Sequence, residues 1–185
     1  MHGIVINQLT LIPIMLGRLS DIRLLAFDLD GVLTNGKLLV LPDGNWVRQM
    51  DIKDGFALQL AVKSDLEVAV ITGSTSTPVM ERMKKLGVHH LYENVADKAE
   101  TLNKLLHSLG LEKKQALFMG DDIPDLPAFG VAGFKACPAD ACWEIRQQAD
   151  YISPNKGGEG CVRDIIEKTL KMQGKWNFIN QVRSL

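Results

Sequence analysis

The apolar run Leu24-Leu25-Ala26-Phe27 passes directly into Asp28-Leu29-Asp30-Gly31-Val32-Leu33-Thr34, and this junction constrains the fold more than any other stretch of the chain. Four apolar residues without alternation read as a strand buried on both faces, as in a parallel sheet covered by helices. Side chains alternate along a strand, so residues i and i+2 point the same way. Asp28 and Asp30 therefore face one crevice while Leu29 packs behind them, and Gly31 lets the chain turn away. In open α/β sheets, ligands bind in that crevice, outside the carboxyl ends of the strands. Two close carboxylates repel each other unless a proton or a cation relieves them. Mg²⁺ is a hard cation that takes oxygen ligands and suits phosphate substrates. A strand followed by an acidic helix cap is the plain alternative, and it suffices for an isolated Asp-X-Asp. It does not account for Gly31 and Thr34 at fixed offsets after an apolar strand.

Two further apolar runs end in the same manner. Glu67–Ile71 leads into Thr72-Gly73-Ser74, and Gln115–Met119 leads into Gly120-Asp121-Asp122. Helices are expected from Asp54-Gly55 to about Lys63, over 77–86 closed by Gly87, over 97–109 closed by Gly110, near 139–148, and over 161–172. Shorter strands are expected at 89–92, 131–136 and 151–152. This alternation predicts an α/β fold, a Rossmann-like parallel sheet with helices on both faces. Residues 37–41 and 46–51 flank Pro42-Asp43-Gly44-Asn45 and read as a β-hairpin flap. One domain is expected over residues 1–185, with a lead-in segment 1–20, the hairpin 37–51, a tail 173–185 and no insertion long enough for a cap domain.

Composition narrows the function classes. The chain is 46% hydrophobic and 23% charged, ordinary values for a soluble globular protein. A formal net charge of −1 gives no basis for binding nucleic acid or an acidic membrane. The apolar residues 4–16 are too short to span a bilayer, and they lack the basic leader and cleavage site of a signal peptide. Cys137, Cys142 and Cys161 are odd in number and lack zinc-like spacing, which fits reduced thiols and a cytoplasmic location.

Three strand ends on one sheet edge bring Asp28, Asp30, Thr72 and Asp121 to one site. A carboxylate nucleophile can form an acyl-phosphate and split phosphoryl transfer into two steps. Asp28 is the expected nucleophile, and Asp30 the group that protonates the leaving oxygen and later activates water. Thr72 and Lys98 are expected to stabilise the charge spread over the equatorial oxygens. Asp121 completes the Mg²⁺ site, with Asp122 and Asp125 holding ligands or waters from outside. Taken singly, each residue has an ordinary reading: Lys98 as a solvated helix residue, Thr72 as a strand end, Asp122 and Asp125 as companions of a helix start. Their order along the chain favours one shared site.

Asp28–Thr34, Ile71-Thr72-Gly73, Lys98, and Gly120-Asp121-Asp122 with Asp125 resemble the haloacid dehalogenase superfamily. Asn35-Gly36, the hairpin, Lys53-Asp54-Gly55, Arg82 with Leu86-Gly87-Val88, Ala149-Asp150-Tyr151 and Gly157–Asp164 are similar to one capless subfamily. Its members act on 3-deoxy-D-manno-octulosonate 8-phosphate (KDO 8-phosphate) and related nine-carbon ulosonates. The resemblance spans residues 22–172. It implies Mg²⁺-dependent hydrolysis of the terminal phosphomonoester of a small phosphorylated sugar acid, and a homotetramer. It also implies metal ligation by Asp28, Asp121 and the backbone carbonyl of Asp30.

Two positions depart from the subfamily: Asn35 stands where it usually has Asp, and Ser74 where KDO 8-phosphate phosphatases typically carry Arg. A guanidinium grips a carboxylate through two hydrogen bonds, whereas serine offers one uncharged hydroxyl. The substrate contacts expected are Gly73, Ser74 and Arg163. The sugar stays open between KDO 8-phosphate, a related ulosonate phosphate, and other sugar phosphates or nucleotides. A non-catalytic oligomeric scaffold is the alternative of another class. The hairpin residues Leu38, Val40, Trp46 and Val47 carry more apolar surface than two lone strands can bury, which points to contact with a partner subunit.

Overall fold

The computed structural model describes residues 16–176. Most of the apolar lead-in 4–16, and Phe178 and Ile179 of the tail, lie outside the described residues. The chain runs β1 (Leu24–Phe27), the hairpin strands β2 (Leu39–Val40) and β3 (Trp46–Val47), α1 (Ile52–Lys63), β4 (Glu67–Ile71), α2 (Thr77–Lys85) and β5 (His90–Tyr92). It continues through α3 (Lys98–Leu109), β6 (Ala116–Met119), α4 (Leu126–Phe129), β7 (Phe134–Cys137), α5 (Trp143–Gln148), β8 (Tyr151–Ile152) and α6 (Cys161–Met172). Six strands form one parallel sheet in the order β5-β4-β1-β6-β7-β8, and β2 pairs with β3 apart from it.

β1 lies in the middle of the sheet because both its faces are apolar. Leu25 and Phe27 enter the core beneath α1, α2 and α6, whereas Leu24 and Ala26 enter the core beneath α3, α4 and α5. Registers Phe27↔Val70 and Phe27↔Met119 align the carboxyl ends of β1, β4 and β6. That alignment carries Asp28, Thr72 and Asp121 to one sheet edge.

Four boundaries differ from the sequence expectation. α1 starts at Ile52 rather than at Asp54-Gly55, because Asp51 caps it by accepting from the Lys53 amide at 2.6 Å. Asp54 is consequently a buried residue of the first turn. β7 begins at Phe134, since Gly133 is held in the preceding turn by its amide bond to the Lys113 carbonyl at 2.8 Å. α5 begins at Trp143, after the Cys142 amide has bonded to the Asp121 carbonyl at 2.8 Å. The hairpin ladder is only two residues per strand, and Leu39, Val40, Trp46 and Val47 are exposed. Among the described residues, no helix is long and apolar enough to cross a membrane.

Candidate active site

Asp28, Asp30, Thr72, Gly73, Ser74, Lys98, Asp121, Asp122 and Asp125 line one cavity of about 370 Å³ at the carboxyl edge of the sheet. The structure thus gathers nine of the ten residues singled out in the sequence. Arg163 lies elsewhere. It faces a separate polar pocket, with its guanidinium carbon 5.5 Å from the Phe56 ring centre and 5.4 Å from that of Trp176. Its amide donates to Asp54 Oδ1 at 2.6 Å, fastening α6 to α1.

Lys98 is the first residue of α3, whose N-cap Asp97 accepts from the Glu100 amide at 2.8 Å. That start aims the lysine inward. Its Nζ lies 2.8 Å from Asp28 Oδ1 and 2.6 Å from Asp125 Oδ1. Burial alone would lower the Lys98 ammonium, but the Asp28 and Asp125 carboxylates override it and hold it above its ordinary value. Asp125 is fully occupied by the protein: its second oxygen accepts from the amides of Asp121 at 2.9 Å and Asp122 at 3.4 Å. It shapes the turn after β6 while neutralising one side of Lys98.

Asp30 sits in a web of donors. Arg48, which follows β3 on the hairpin, forks onto it with Nε to Oδ1 at 2.7 Å and Nη2 to Oδ2 at 3.0 Å. Ser74 Oγ donates to Oδ2 at 2.9 Å, and Thr34 Oγ1 to Oδ1 at 3.2 Å. Burial works to raise the Asp30 carboxyl, and the Arg48 and Ser74 bonds outweigh it, so the group lies below its ordinary value. Sequence pattern marks the hairpin only as apolar surface and does not single out Arg48. A lone cation between Val47 and Met50 on a strand was the signal available.

Two glycines let separate parts of the chain meet beneath the carboxylates. Gly31 has φ +90°, and a Cβ there would lie 1.9 Å from Asp121 Oδ2. A Cβ on Gly157 would lie 1.8 Å from the Gly31 carbonyl oxygen. The Gly158 amide and the Cys161 thiol both bond to the Val32 carbonyl, at 2.9 and 3.3 Å. The glycine-rich stretch before α6 therefore backs the loop that carries Asp30.

Carboxylate oxygens of Asp28, Asp121 and Asp125 lie within 4.8 Å of one another. Asp121 Oδ1 is buried and has no hydrogen-bond partner among the described residues. Burial, then the charges of Asp28, Asp125 and Asp122, pushes the Asp121 carboxyl up to about 8. Burial and Asp125 raise that of Asp28 against the pull of Lys98. Crowded, partly unpartnered carboxylates with one ammonium among them fit a divalent cation, whose charge relieves their repulsion.

A family model for haloacid dehalogenase-like hydrolases matches residues 84–165. The 3-deoxy-D-manno-octulosonate 8-phosphate phosphatase KdsC of Escherichia coli is 34% identical over 161 residues, covering 87% of this chain and 86% of its own length. The chain belongs to the haloacid dehalogenase-like hydrolases. This hydrolase acts on phosphoric monoesters, as its similarity to those phosphatases shows. The crystal structure of 3-deoxy-D-manno-octulosonate 8-phosphate phosphatase from Yersinia pestis superposes with a TM-score of 0.85 at 32% identity, covering 87% of both chains. The corresponding enzyme of Moraxella catarrhalis, solved with magnesium, phosphate and KDO, superposes with a TM-score of 0.85 at 34% identity, over 88% of this hydrolase and 93% of that chain.

Proposed function

We propose that this hydrolase is a Mg²⁺-dependent phosphatase of an acidic sugar phosphate, namely KDO 8-phosphate, that works through an aspartyl-phosphate on Asp28. The observation that carries the reading is the meeting of Asp28, Asp30, Thr72, Lys98 and Asp121 in one cavity. The similarity to KDO 8-phosphate phosphatases over most of the chain supports the substrate.

Asp28 attacks phosphorus, and the bond from phosphorus to the sugar oxygen breaks. Asp30 gives that oxygen its proton, then as a carboxylate takes one from the water that attacks the aspartyl-phosphate. Inorganic phosphate leaves and Asp28 is regenerated. Arg48 and Ser74 favour the ionised Asp30 of the second step, so the proton for the first arrives with the substrate complex. Thr72, the backbone at Gly73 and Lys98 face the phosphoryl oxygens. Asp28, Asp121 and the Asp30 carbonyl are the ligands we assign to Mg²⁺, with Asp122 and Asp125 orienting them from outside. Bound there, Mg²⁺ supplies positive charge to the transferring group.

The hydrolase is also read as one capless domain, assembled as a homotetramer and acting in the cytoplasm. Exposed Leu39, Val40, Trp46 and Val47 on the hairpin support assembly. Phosphate release from a panel of acidic and neutral sugar phosphates, with Mg²⁺ and with chelator, tests the whole reading against Asp28→Asn. The expected result is Mg²⁺-dependent turnover that is fastest on KDO 8-phosphate and absent in the variant. Faster turnover of a neutral sugar phosphate or a nucleotide would keep the chemistry and replace the substrate.

A further inference from the structure

Ser74 takes the place of the arginine expected in KDO 8-phosphate phosphatases, and its hydroxyl is turned inward. Its oxygen donates to Asp30 Oδ2 at 2.9 Å and lies 3.0 Å from Thr72 Oγ1. A serine has one hydrogen to give, and this one goes to Asp30. Residue 74 therefore has neither charge nor a spare donor for a substrate carboxylate.

Arg48 brings a guanidinium to Asp30 from the hairpin. Its side chain is only 6% exposed, yet it makes two hydrogen bonds, both to Asp30. A guanidinium has five N–H donors in one rigid plane. The fork through Nε and Nη2 leaves the end edge, with Nη1, without a hydrogen-bond partner among the described residues. Arg48 also lines a second cavity of about 430 Å³ between the hairpin and α2, with Trp46, Val47, Met50, Pro78 and Val79. Asp30 lines the phosphoryl cavity. Arg48 thus stands between the reacting groups and a second space in which Ser76 and Arg82 add polar groups to apolar walls, a mix that can take the hydroxylated chain of a sugar whose far end is charged.

We propose that Arg48 determines specificity: its inner edge keeps Asp30 in place while its free Nη1 edge binds the substrate carboxylate, the task that residue 74 cannot perform in this chain. The inference rests on the acidic sugar phosphate reading. The two edges separate in kinetics. Losing the inner edge disturbs Asp30, the donor to the leaving oxygen, so it slows phosphate esters of equally basic alcohols by about one common factor. Losing the outer edge raises KM only for a substrate with a carboxylate, so the ratio of kcat/KM between two substrates isolates it.

The test compares KDO 8-phosphate with glucose 6-phosphate, which also releases a primary alcohol but lacks a carboxylate, in wild type, Arg48→Gln, Arg48→Met and Arg82→Met. Arg48→Gln can still donate an amide hydrogen to Asp30 but has no charge, and circular dichroism establishes that each variant is folded. The expected result is a fall of at least tenfold in the KDO 8-phosphate to glucose 6-phosphate ratio for both Arg48 variants, carried by KM. Adding Ser74→Arg to Arg48→Gln is expected to restore part of that ratio. An equal loss on both substrates would reduce Arg48 to a positioning residue and overturn the inference. So would a ratio that falls only in Arg82→Met, whose arginine lines the same cavity. A wild type that does not favour KDO 8-phosphate at all would instead overturn the substrate reading, before any variant is made.

Discussion

Lys98 Nζ bridges Asp28 and Asp125, 2.8 Å from Oδ1 of the first and 2.6 Å from Oδ1 of the second. All three side chains are buried. A lone carboxylate beside Lys98 would leave the crowded site short of one ligand to the turn after β6; two carboxylates let one ammonium hold the nucleophile and the turn together.

Removing the ammonium strands both carboxylates away from water. Lys98→Met is expected to lose roughly 3–5 kcal/mol of stability, the range for breaking one side of a buried pair. Turnover is expected to drop by at least about a hundredfold, on the scale of losing a donor to developing charge. Urea midpoints and initial rates check both, and a midpoint equal to that of wild type would refute the bridging role.

Asp121 makes the metal-free protein sensitive to pH. Its carboxyl in the fold is pushed to about 8, above its ordinary value of 3.8. A raised carboxyl contributes stability that is complete below the ordinary value and is lost as pH rises through the folded one. The melting temperature of the chelated protein is therefore expected to fall from pH 5 toward pH 9, and Mg²⁺ is expected to restore it at the alkaline end. Asp121→Asn is expected to melt a few degrees higher than wild type in chelator at pH 8, and to gain little from Mg²⁺. Scanning calorimetry with and without Mg²⁺ gives the answer; parallel curves for the two proteins would contradict the crowding of carboxylates.

Gly157 lies far from Asp30 in sequence and against its loop in space. Gly157→Ala would drive a methyl group into the Gly31 carbonyl, 1.8 Å from the new Cβ. Overpacking of this kind costs about 1–3 kcal/mol. Because the displaced loop carries Asp30, kcat is expected to fall at least about tenfold, each factor of ten being ~1.4 kcal/mol of misplacement in the transition state. Wild-type kcat together with a lowered melting temperature would show that the glycine serves packing alone.

The hairpin offers a test of assembly. Trp46 is 61% and Val40 63% exposed. Trp46→Glu with Val40→Glu places two charges on that face, and sedimentation velocity is expected to show tetramers for wild type and smaller species for the variant. Monomers of wild type at micromolar concentration would end the tetramer reading.

Strand ends were the legible part of this sequence. Apolar runs before Asp28, Thr72 and Asp121 fixed which residues share an edge, because an unbroken apolar strand has one place in a parallel sheet. Lys98 was legible through Asp97 before it, a cap that begins a helix. Arg48 was not, since its partner Asp30 lies across a turn and a hairpin, and pattern alone does not pair residues through space. Arg163, beside the glycine-rich loop, lines a separate pocket from the phosphoryl cavity with its guanidinium over the Phe56 and Trp176 rings, a placement that chain order alone does not reveal. The early start of α1 followed the same logic at short range, with Asp51 capping the helix three residues ahead of the more conspicuous Asp54-Gly55.

The contact between Gly157 and Gly31 also has a meaning for synthesis. By the time Asp125 leaves the ribosome, every acidic group of the site has emerged, yet the loop holding Asp30 still lacks its floor. Only when the segment around Gly158 follows, and its amide reaches Val32, can the loop settle. A nascent or prematurely terminated product is thus expected to be inert toward phosphate esters in the cell, and catalysis switches on late, with near-completion of translation.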